Sequence, residues 1–361
     1  MLPIRSRQTI SNIVVVTVAA LLATGCSDTA ATSSATGGRP DRSTSTTRPR
    51  ATSTTLEGTV TSALDVVPNV VRRLQPSVVT IETADGLGSG VVWSADGLIV
   101  TDAHVVGRAK RVTVDFVDGQ QVDATVRATD EVTDLAVVQA DRRDLTPARF
   151  DTRLPALGSL AVVIGSPLGF TNSVTSGVIS GEARTIPNSA QDSQSLVDLV
   201  QTDAAVSPGN SGGALANEDG EVTGIVEAYI PPSEGAVSLG FAIPSATVVD
   251  VVRQLIATGR AKHSFLGVAT TAITPEIRRR LNLDRSTGAA IVRITKDGPA
   301  DRAGMRQGDV IIQVASTKVT SPETLLLALR RTEPGQTVPV TYVRDGDERV
   351  ASVTLTDRPT G

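Results

Sequence analysis

Between residues 78 and 243 the chain repeats short runs in which apolar and polar side chains alternate. Over 111–117, Val112, Val114 and Phe116 alternate with Thr113 and Asp115. Over 121–129, Val122, Ala124, Val126 and Ala128 alternate with Asp123, Thr125 and Arg127. Successive side chains of an extended strand point to opposite faces, so a period of two predicts half-buried strands. Further strands are expected at 78–83, 89–93, 98–101, 135–139, 160–164, 173–180, 196–201, 222–229 and 237–243, with turn pairs such as Asp96-Gly97, Asp118-Gly119 and Asp219-Gly220 between several of them. Many short strands, close turns and no intervening helices predict antiparallel barrels. A helix over 65–74 precedes this unit, and a second over 245–258, stopped by Gly259, closes it. From 262 to 358 a different mixture follows, with strands at 288–295, 310–314, 337–344 and 349–356 and a helix over 322–331. The chain has no internal repeat.

The N-terminal 60 residues have neither pattern. Arg5 and Arg7 precede an apolar run over 13–23 that contains only one hydroxyl, Thr17. A membrane-spanning helix needs about 20 apolar residues, and this run is shorter. Residues 1–25 therefore read as a signal peptide. The segment ends Leu22-Ala23-Thr24-Gly25-Cys26, which resembles a bacterial lipobox, with Ala23 where Leu is commonest. Cys26 is expected to carry a lipid that ties an exported protein to the bacterial cell membrane. An ordinary cleaved signal and an uncleaved anchor are the alternatives. Residues 26–60 are rich in Thr, Ser, Arg and Pro and nearly free of large apolar side chains, as expected of a disordered tether. Arg39, Arg42, Arg48 and Arg50 read as solvating charges on it.

Composition narrows the chemistry. Aromatic residues are 2% of the chain against 40% hydrophobic, so the cores must be built from Val, Ala, Leu and Ile. A net charge of −4 without a long basic face argues against nucleic acid as a partner. Cys26 is the only cysteine, so no intrachain disulfide can form. With two histidines and one cysteine a zinc site is not expected, and no acidic loop has calcium-binding spacing. No metal and no cofactor are expected.

The most distinctive local segment is Ser207-Pro208-Gly209-Asn210-Ser211-Gly212-Gly213. A serine among glycines suits a tight turn where backbone approaches a substrate. Such a turn would aim the amides of Gly209 and Ser211 at one point, an oxyanion hole. A plain glycine-rich hairpin turn is the alternative. A serine nucleophile needs a base. His104 ends a predicted strand, where catalytic groups are commonly placed, whereas His263 lies in the polar junction between the two units and reads as an ordinary residue. The base needs a carboxylate to orient it. Asp134 opens the apolar run Leu135-Ala136-Val137-Val138, at the edge of a core, while Asp102, Asp130 and Glu131 read as surface charges. Gly86-Leu87-Gly88-Ser89-Gly90 lacks the lysine and helix of a phosphate loop and reads as a turn into a strand.

The order His104, Asp134, Ser211, with Thr101-Asp102-Ala103-His104, Asp134-Leu135-Ala136-Val137-Val138 and Gln201-Thr202-Asp203-Ala204-Ala205, resembles the HtrA/DegP family of trypsin-like serine proteases from Val78 onward. The resemblance implies a mostly β fold: two six-stranded antiparallel barrels over 61–259, then an α+β PDZ domain over 262–358. It implies a serine endopeptidase in which His104 is the base, Asp134 its orienting group and Ser211 the nucleophile, with an acyl-enzyme intermediate. Asp102 departs from the family, which usually has Asn there, and is expected to raise the His104 pKa slightly. Ala205, Val226 and Glu227 are the candidates for the pocket that receives the side chain before the cut. Ala205 offers a methyl group where an acid would select basic side chains, so small aliphatic residues are expected, unless Glu227 points inward. Phe265-Leu266-Gly267-Val268 is similar to a PDZ carboxylate-binding loop, and a peptide C-terminus would lie beside Val268, over Leu325 and Leu329. The polar stretch 178–195 is expected to be a mobile loop that senses that peptide. The implied role is cleavage of misfolded or exposed extracytoplasmic proteins in envelope quality control, with a homotrimer as the assembly. An envelope chaperone or peptide-binding adaptor is the alternative.

Overall fold

The computed structural model describes residues 65–84, 86–166, 173–186, 196–229, 239–280 and 283–359. The leader, Cys26, the tether and residues 187–195 of the expected loop lie outside the described residues. Among the described residues no helix is long and apolar enough to cross a membrane.

Helix α1 (Val66–Leu74) leads into a barrel of β1 (Val78–Thr83), β2 (Gly86–Val92), β3 (Leu98–Asp102), β4 (Arg111–Asp115), β5 (Gln121–Asp130) and β6 (Leu135–Ala140), with the one-turn helix α2 (Ala103–Val106) after β3. Hydrogen bonding runs β1-β2-β3-β6-β5-β4, and β1 pairs with β4 to close the sheet. A second barrel uses β7 (Leu160–Gly165), β8 (Ser173–Ile186), β9 (Leu196–Thr202), β10 (Ala214–Ala216), β11 (Val222–Tyr229) and β12 (Gly240–Pro244) in the order β10-β11-β12-β9-β8-β7, closed by β10 on β7. Closure leaves no unpaired sheet edge.

The alternation explains three apolar layers. Val79, Ile81, Ile99, Val114 and Val138 fill the first barrel, and Ala161, Val163, Val200, Leu215 and Val226 fill the second. The opposite faces, with Val91, Val100, Leu135, Ile164 and Leu199, share a third core between the barrels with α1 and with helix α3 (Ser245–Thr258). Burial of Val248, Val251, Val252 and Leu255 gives α3 a single apolar face, and Gly259 ends it at φ 77° in the left-handed region that glycine adopts freely.

The last unit contains β13 (Ser264–Phe265), β14 (Val268–Ala272), α4 (Pro275–Arg280), β15 (Ala289–Ile294), α5 (Pro299–Arg302), β16 (Val310–Val314), β17 (Thr317–Lys318), α6 (Pro322–Arg330), β18 (Thr337–Arg344), β19 (Asp347–Thr354) and β20 (Thr356–Asp357). Its main sheet runs β14-β15-β16-β18-β19, which puts β14 at an edge. Ser321 and Thr324 cap α6 reciprocally, and Pro322 fits its first turn. Leu325, Ala328 and Leu329 of α6 join the core with Leu266. Asp309, 1% exposed, is held by Arg344 through two bonds of 2.6 and 2.7 Å.

The last unit holds α4, α5, β13, β17 and β20 beyond the expected elements, and in the protease unit expectation and structure part at three elements. Residues 178–186, expected within a mobile loop, continue β8. Strand β10 is buried throughout and so has no alternation to announce it. Helix α2 is a single turn, too short for a periodic signal.

Candidate active site

His104 sits on α2 and Asp134 in the turn between β5 and β6. Asp134 holds φ 57°, sparsely populated for a side chain with a Cβ, and such strain persists only where its surroundings fix it. Its carbonyl accepts from the Ala103 amide at 3.0 Å and its Oδ1 from the His104 amide at 2.8 Å. The carbonyl and carboxylate of Asp134 thereby accept from the first two amides of α2 and bind the helix to the turn. Its Oδ2 lies 2.5 Å from His104 Nδ1. Asp134 is 4% exposed, while the imidazole side chain is 44% exposed, so the base faces the cleft with its carboxylate behind it.

Ser211 occupies the turn before β10. Gly212, at φ 82°, could carry no side chain: a Cβ would lie 2.1 Å from the Ser89 carbonyl oxygen and 2.3 Å from Thr101 Oγ1. A Cβ on Gly213 would fall 2.7 Å from the Ile164 oxygen. Here glycine is required by close approach of the two barrels. Ser89 fastens the same turn, its amide donating to the Ser211 carbonyl at 2.8 Å and its hydroxyl to the Gly209 carbonyl at 2.6 Å. The amides of Gly209 and Ser211 have no acceptor among the described residues. The Ser211 hydroxyl donates to the Glu227 main-chain carbonyl at 2.8 Å.

Electrostatics set this site apart. Asp102, expected at the surface, is fully buried, and neither carboxyl oxygen has a partner. Burial is the main force holding it protonated, opposed by the His104 charge and reinforced by Asp134 and Glu227, and its pKa is well above the usual range. Glu227 is 4% exposed, and burial first, then the Asp134 charge, raise it to about 8 against the opposing His104 charge. For His104, partial burial disfavours the cation, but the bond to Asp134 and the charges of Asp102, Asp134 and Glu227 outweigh it, raising the pKa from 6.5 to about 9. The effect expected of Asp102 was slight, and the environment is much more acidic than the spacing implied.

The pocket candidates separate. Val226 packs into the second barrel at 1% exposure and cannot line an open pocket. The pairing of β11 with β12 shifts register between Val226 and Ala228, so strict alternation breaks at Glu227. Its carboxyl, expected near the substrate side chain, instead joins His104 and Asp134 within 4.8 Å. Ala205 is exposed beside the turn. The three clustered groups could be read as metal ligands. Ligands around one ion at about 2.0–2.2 Å sit roughly 3 Å or more apart, and the 2.5 Å Nδ1–Oδ2 contact leaves no room for an ion between them.

In the C-terminal unit Gly267 adopts φ 80° and turns the chain into β14. Of the residues expected to meet a peptide, Leu266, Leu325 and Leu329 are buried in the core, while Phe265 and Val268 are half-buried at the edge. His263 and Asp130, both read as ordinary, form a hydrogen bond of 2.8 Å between the last unit and the first barrel. Burial raises the Asp130 pKa, but the His263 bond and charge and the Thr133 bonds pull it lower overall. Arg330 of α6 donates to the carbonyls of Val197 at 2.6 Å and Val132 at 3.0 Å. Sequence reasoning missed Arg330, because nothing local distinguishes it from its neighbour Arg331.

Comparison with known proteins agrees. Residues 88–225 match the trypsin-like peptidase domain and residues 264–355 the PDZ domain. The chain is 38% identical over 279 residues to a probable periplasmic serine endoprotease, DegP-like, of Halomonas elongata and 36% identical to one of Hahella chejuensis, covering 77% of this chain. It spans 58% of the length of those relatives. Among solved structures, the HtrA-type protease AlgW with tripeptide is 33% identical with a TM-score of 0.67, covering 82% of this chain and 98% of that one. The serine endoprotease from Yersinia pestis is 31% identical with a TM-score of 0.63, covering 81% and 98%. The chain belongs to the HtrA/DegP family of trypsin-like serine proteases with a PDZ domain.

Proposed function

We propose that the protein is a serine endopeptidase with Ser211 as nucleophile, His104 as base and Asp134 as its orienting group. One observation carries the reading. The imidazole–carboxylate pair at 2.5 Å shares a cleft with Ser211, whose hydroxyl is bonded to the main chain of Glu227, the residue whose side chain joins that pair. In this resting arrangement the hydroxyl faces a carbonyl. Rotation about its Cα–Cβ bond presents it to His104 Nε2, which has no partner among the described residues.

Nε2 then takes the hydroxyl proton as Oγ bonds to the peptide carbonyl carbon. The amides of Gly209 and Ser211 receive the oxyanion, each such donor contributing about 3–4 kcal/mol. Return of the proton to the leaving amine breaks the peptide bond and leaves an acyl-enzyme, which water, deprotonated by the same imidazole, hydrolyses. Ala205 beside the turn supports a preference for small aliphatic side chains before the cut.

The protease unit covers 61–259 and the PDZ domain 262–358. Peptide C-termini add to the free edge of β14 and regulate cleavage through the PDZ domain. The protein works outside the cytoplasm on misfolded or exposed envelope proteins, held to the membrane through a lipid on Cys26 and assembled as a homotrimer. The periplasmic relatives support the compartment, and the lipobox-like segment supports the anchor. A fluorophosphonate probe tests the core of this reading: it should label the wild type at Ser211 and leave Ser211→Ala unlabelled. Unlabelled wild type that still binds peptide would favour the adaptor reading instead.

A further inference from the structure

The acidic surroundings of Asp134 carry an inference that rests on the triad reading. Asp134 already uses both carboxyl oxygens as acceptors, Oδ1 from the His104 amide and Oδ2 from the ring. The Glu227 carboxyl reaches the same group from β11, lies within 4.8 Å of the facing atoms of Asp134 and His104, and leaves Oε2 buried without a partner. Two carboxyl groups can share a hydrogen bond only if one carries a proton. The charged groups facing Glu227 are Asp134 from the β5–β6 turn and His104 from α2, with Asp102 of β3 behind them. No lysine or arginine is among the groups that act on it. Were all three acids ionised beside one imidazolium, the buried cluster would carry two excess negative charges with no other cation to offset them. A water-poor site cannot hold such an excess, and it is relieved by keeping protons.

We propose that Glu227 is a protonated carboxylic acid that donates a hydrogen bond to Asp134, and is a positioning residue for the base, not a selector of substrate charge. Its donated proton draws charge away from Asp134, which then holds the imidazolium less tightly. Ionisation, at about pH 8, removes the donor and adds a repelling charge that favours imidazolium, the form that cannot accept the Ser211 proton. Glu227 thus sets the pH at which the base becomes available.

The test compares the full-length wild type with Glu227→Gln and Glu227→Leu, reading kcat and kcat/KM against pH on a fluorogenic peptide. Glutamine donates an N–H at every pH and never ionises. It should keep the limiting kcat within about threefold while moving the acid limb of kcat/KM lower by roughly half to one unit. Leucine removes the charge and the donor together, so its limb should lie above that of Glu227→Gln, and it should lose about tenfold or more in limiting kcat because Asp134 loses its donor. A limb left in place by Glu227→Gln overturns the proposal. Infrared difference spectra of Ser211→Ala need no turnover. Beside the band of protonated Asp102, a second protonated-carboxyl stretch should disappear as pH rises through about 8, and this second band should be missing in Ser211→Ala/Glu227→Gln. Its absence at neutral pH also overturns the proposal. Failure of the triad reading is separate: the probe would then leave Ser211 unlabelled while the infrared signal persists.

Discussion

Ser89 is the residue on which the nucleophile's turn most depends. Its hydroxyl donates to the Gly209 carbonyl and accepts from the Ser166 amide at 2.8 Å, while its carbonyl accepts from Thr101 at 2.6 Å. Ser89→Ala leaves two buried backbone groups unpaired, each costing about 1–3 kcal/mol. The variant should lower the urea midpoint and slow probe labelling of Ser211 roughly tenfold, since an oxyanion donor held loosely loses much of its worth. The glycines around Ser89 were legible as a turn into a barrel strand. The serine's role was not, because its partners lie 77 and 120 residues away. Asp102 teaches the same at shorter range: two positions before the base it looked like solvent-facing charge, yet β3 pairs with β6 and seals it from water.

At the level of elements, α6 and the β5–β6 turn form one mechanical unit. Arg330 donates to the carbonyl of Val132, two residues before Asp134, and Asp130 at the end of β5 is tied to His263 and Thr133. Burial lowers the Arg330 pKa below its usual value, against the pull of Asp198 and Asp130, so its carbonyl bonds are formed by a cation largely out of water. If peptide bound at β14 regulates cleavage as proposed, these bonds are the expected route from α6 to the turn that fixes the imidazole. Arg330→Ala should lower stability by about 1–3 kcal/mol through the orphaned carbonyls. It should also reduce the ratio of activities with and without a saturating PDZ-binding peptide toward one, measured on a fluorogenic substrate. An unchanged ratio would remove Arg330 from the route. Helix α6 was legible as a helix over 322–331, whereas its docking partner was not, since an arginine at a helix end is equally at home in solvent.

For the whole molecule, the acid cluster ties stability to pH. Glu227 and His104 hold protons more tightly than their ordinary values of 4.5 and 6.5, so the folded state binds more protons than the unfolded. Their contribution is therefore complete below those values and is lost as pH rises through about 8 and about 9. The urea midpoint should decline between about pH 5 and about pH 9, and Glu227→Gln should flatten the decline over the lower part of that range. A midpoint rising across this window would contradict the assignment of either proton.

Alternating patterns determined the strands, and closely spaced turns determined that they close on themselves, because period and turn chemistry act over a few residues. The triad candidates were legible for a chemical reason: with two histidines in the chain, few combinations of base, acid and alcohol exist. Only the folded chain decided which carboxyl groups crowd the imidazole, which face Glu227 presents, and which surface α6 meets. Burial and charge are properties of the neighbours that long-range pairing brings together, and no local stretch of sequence contains them.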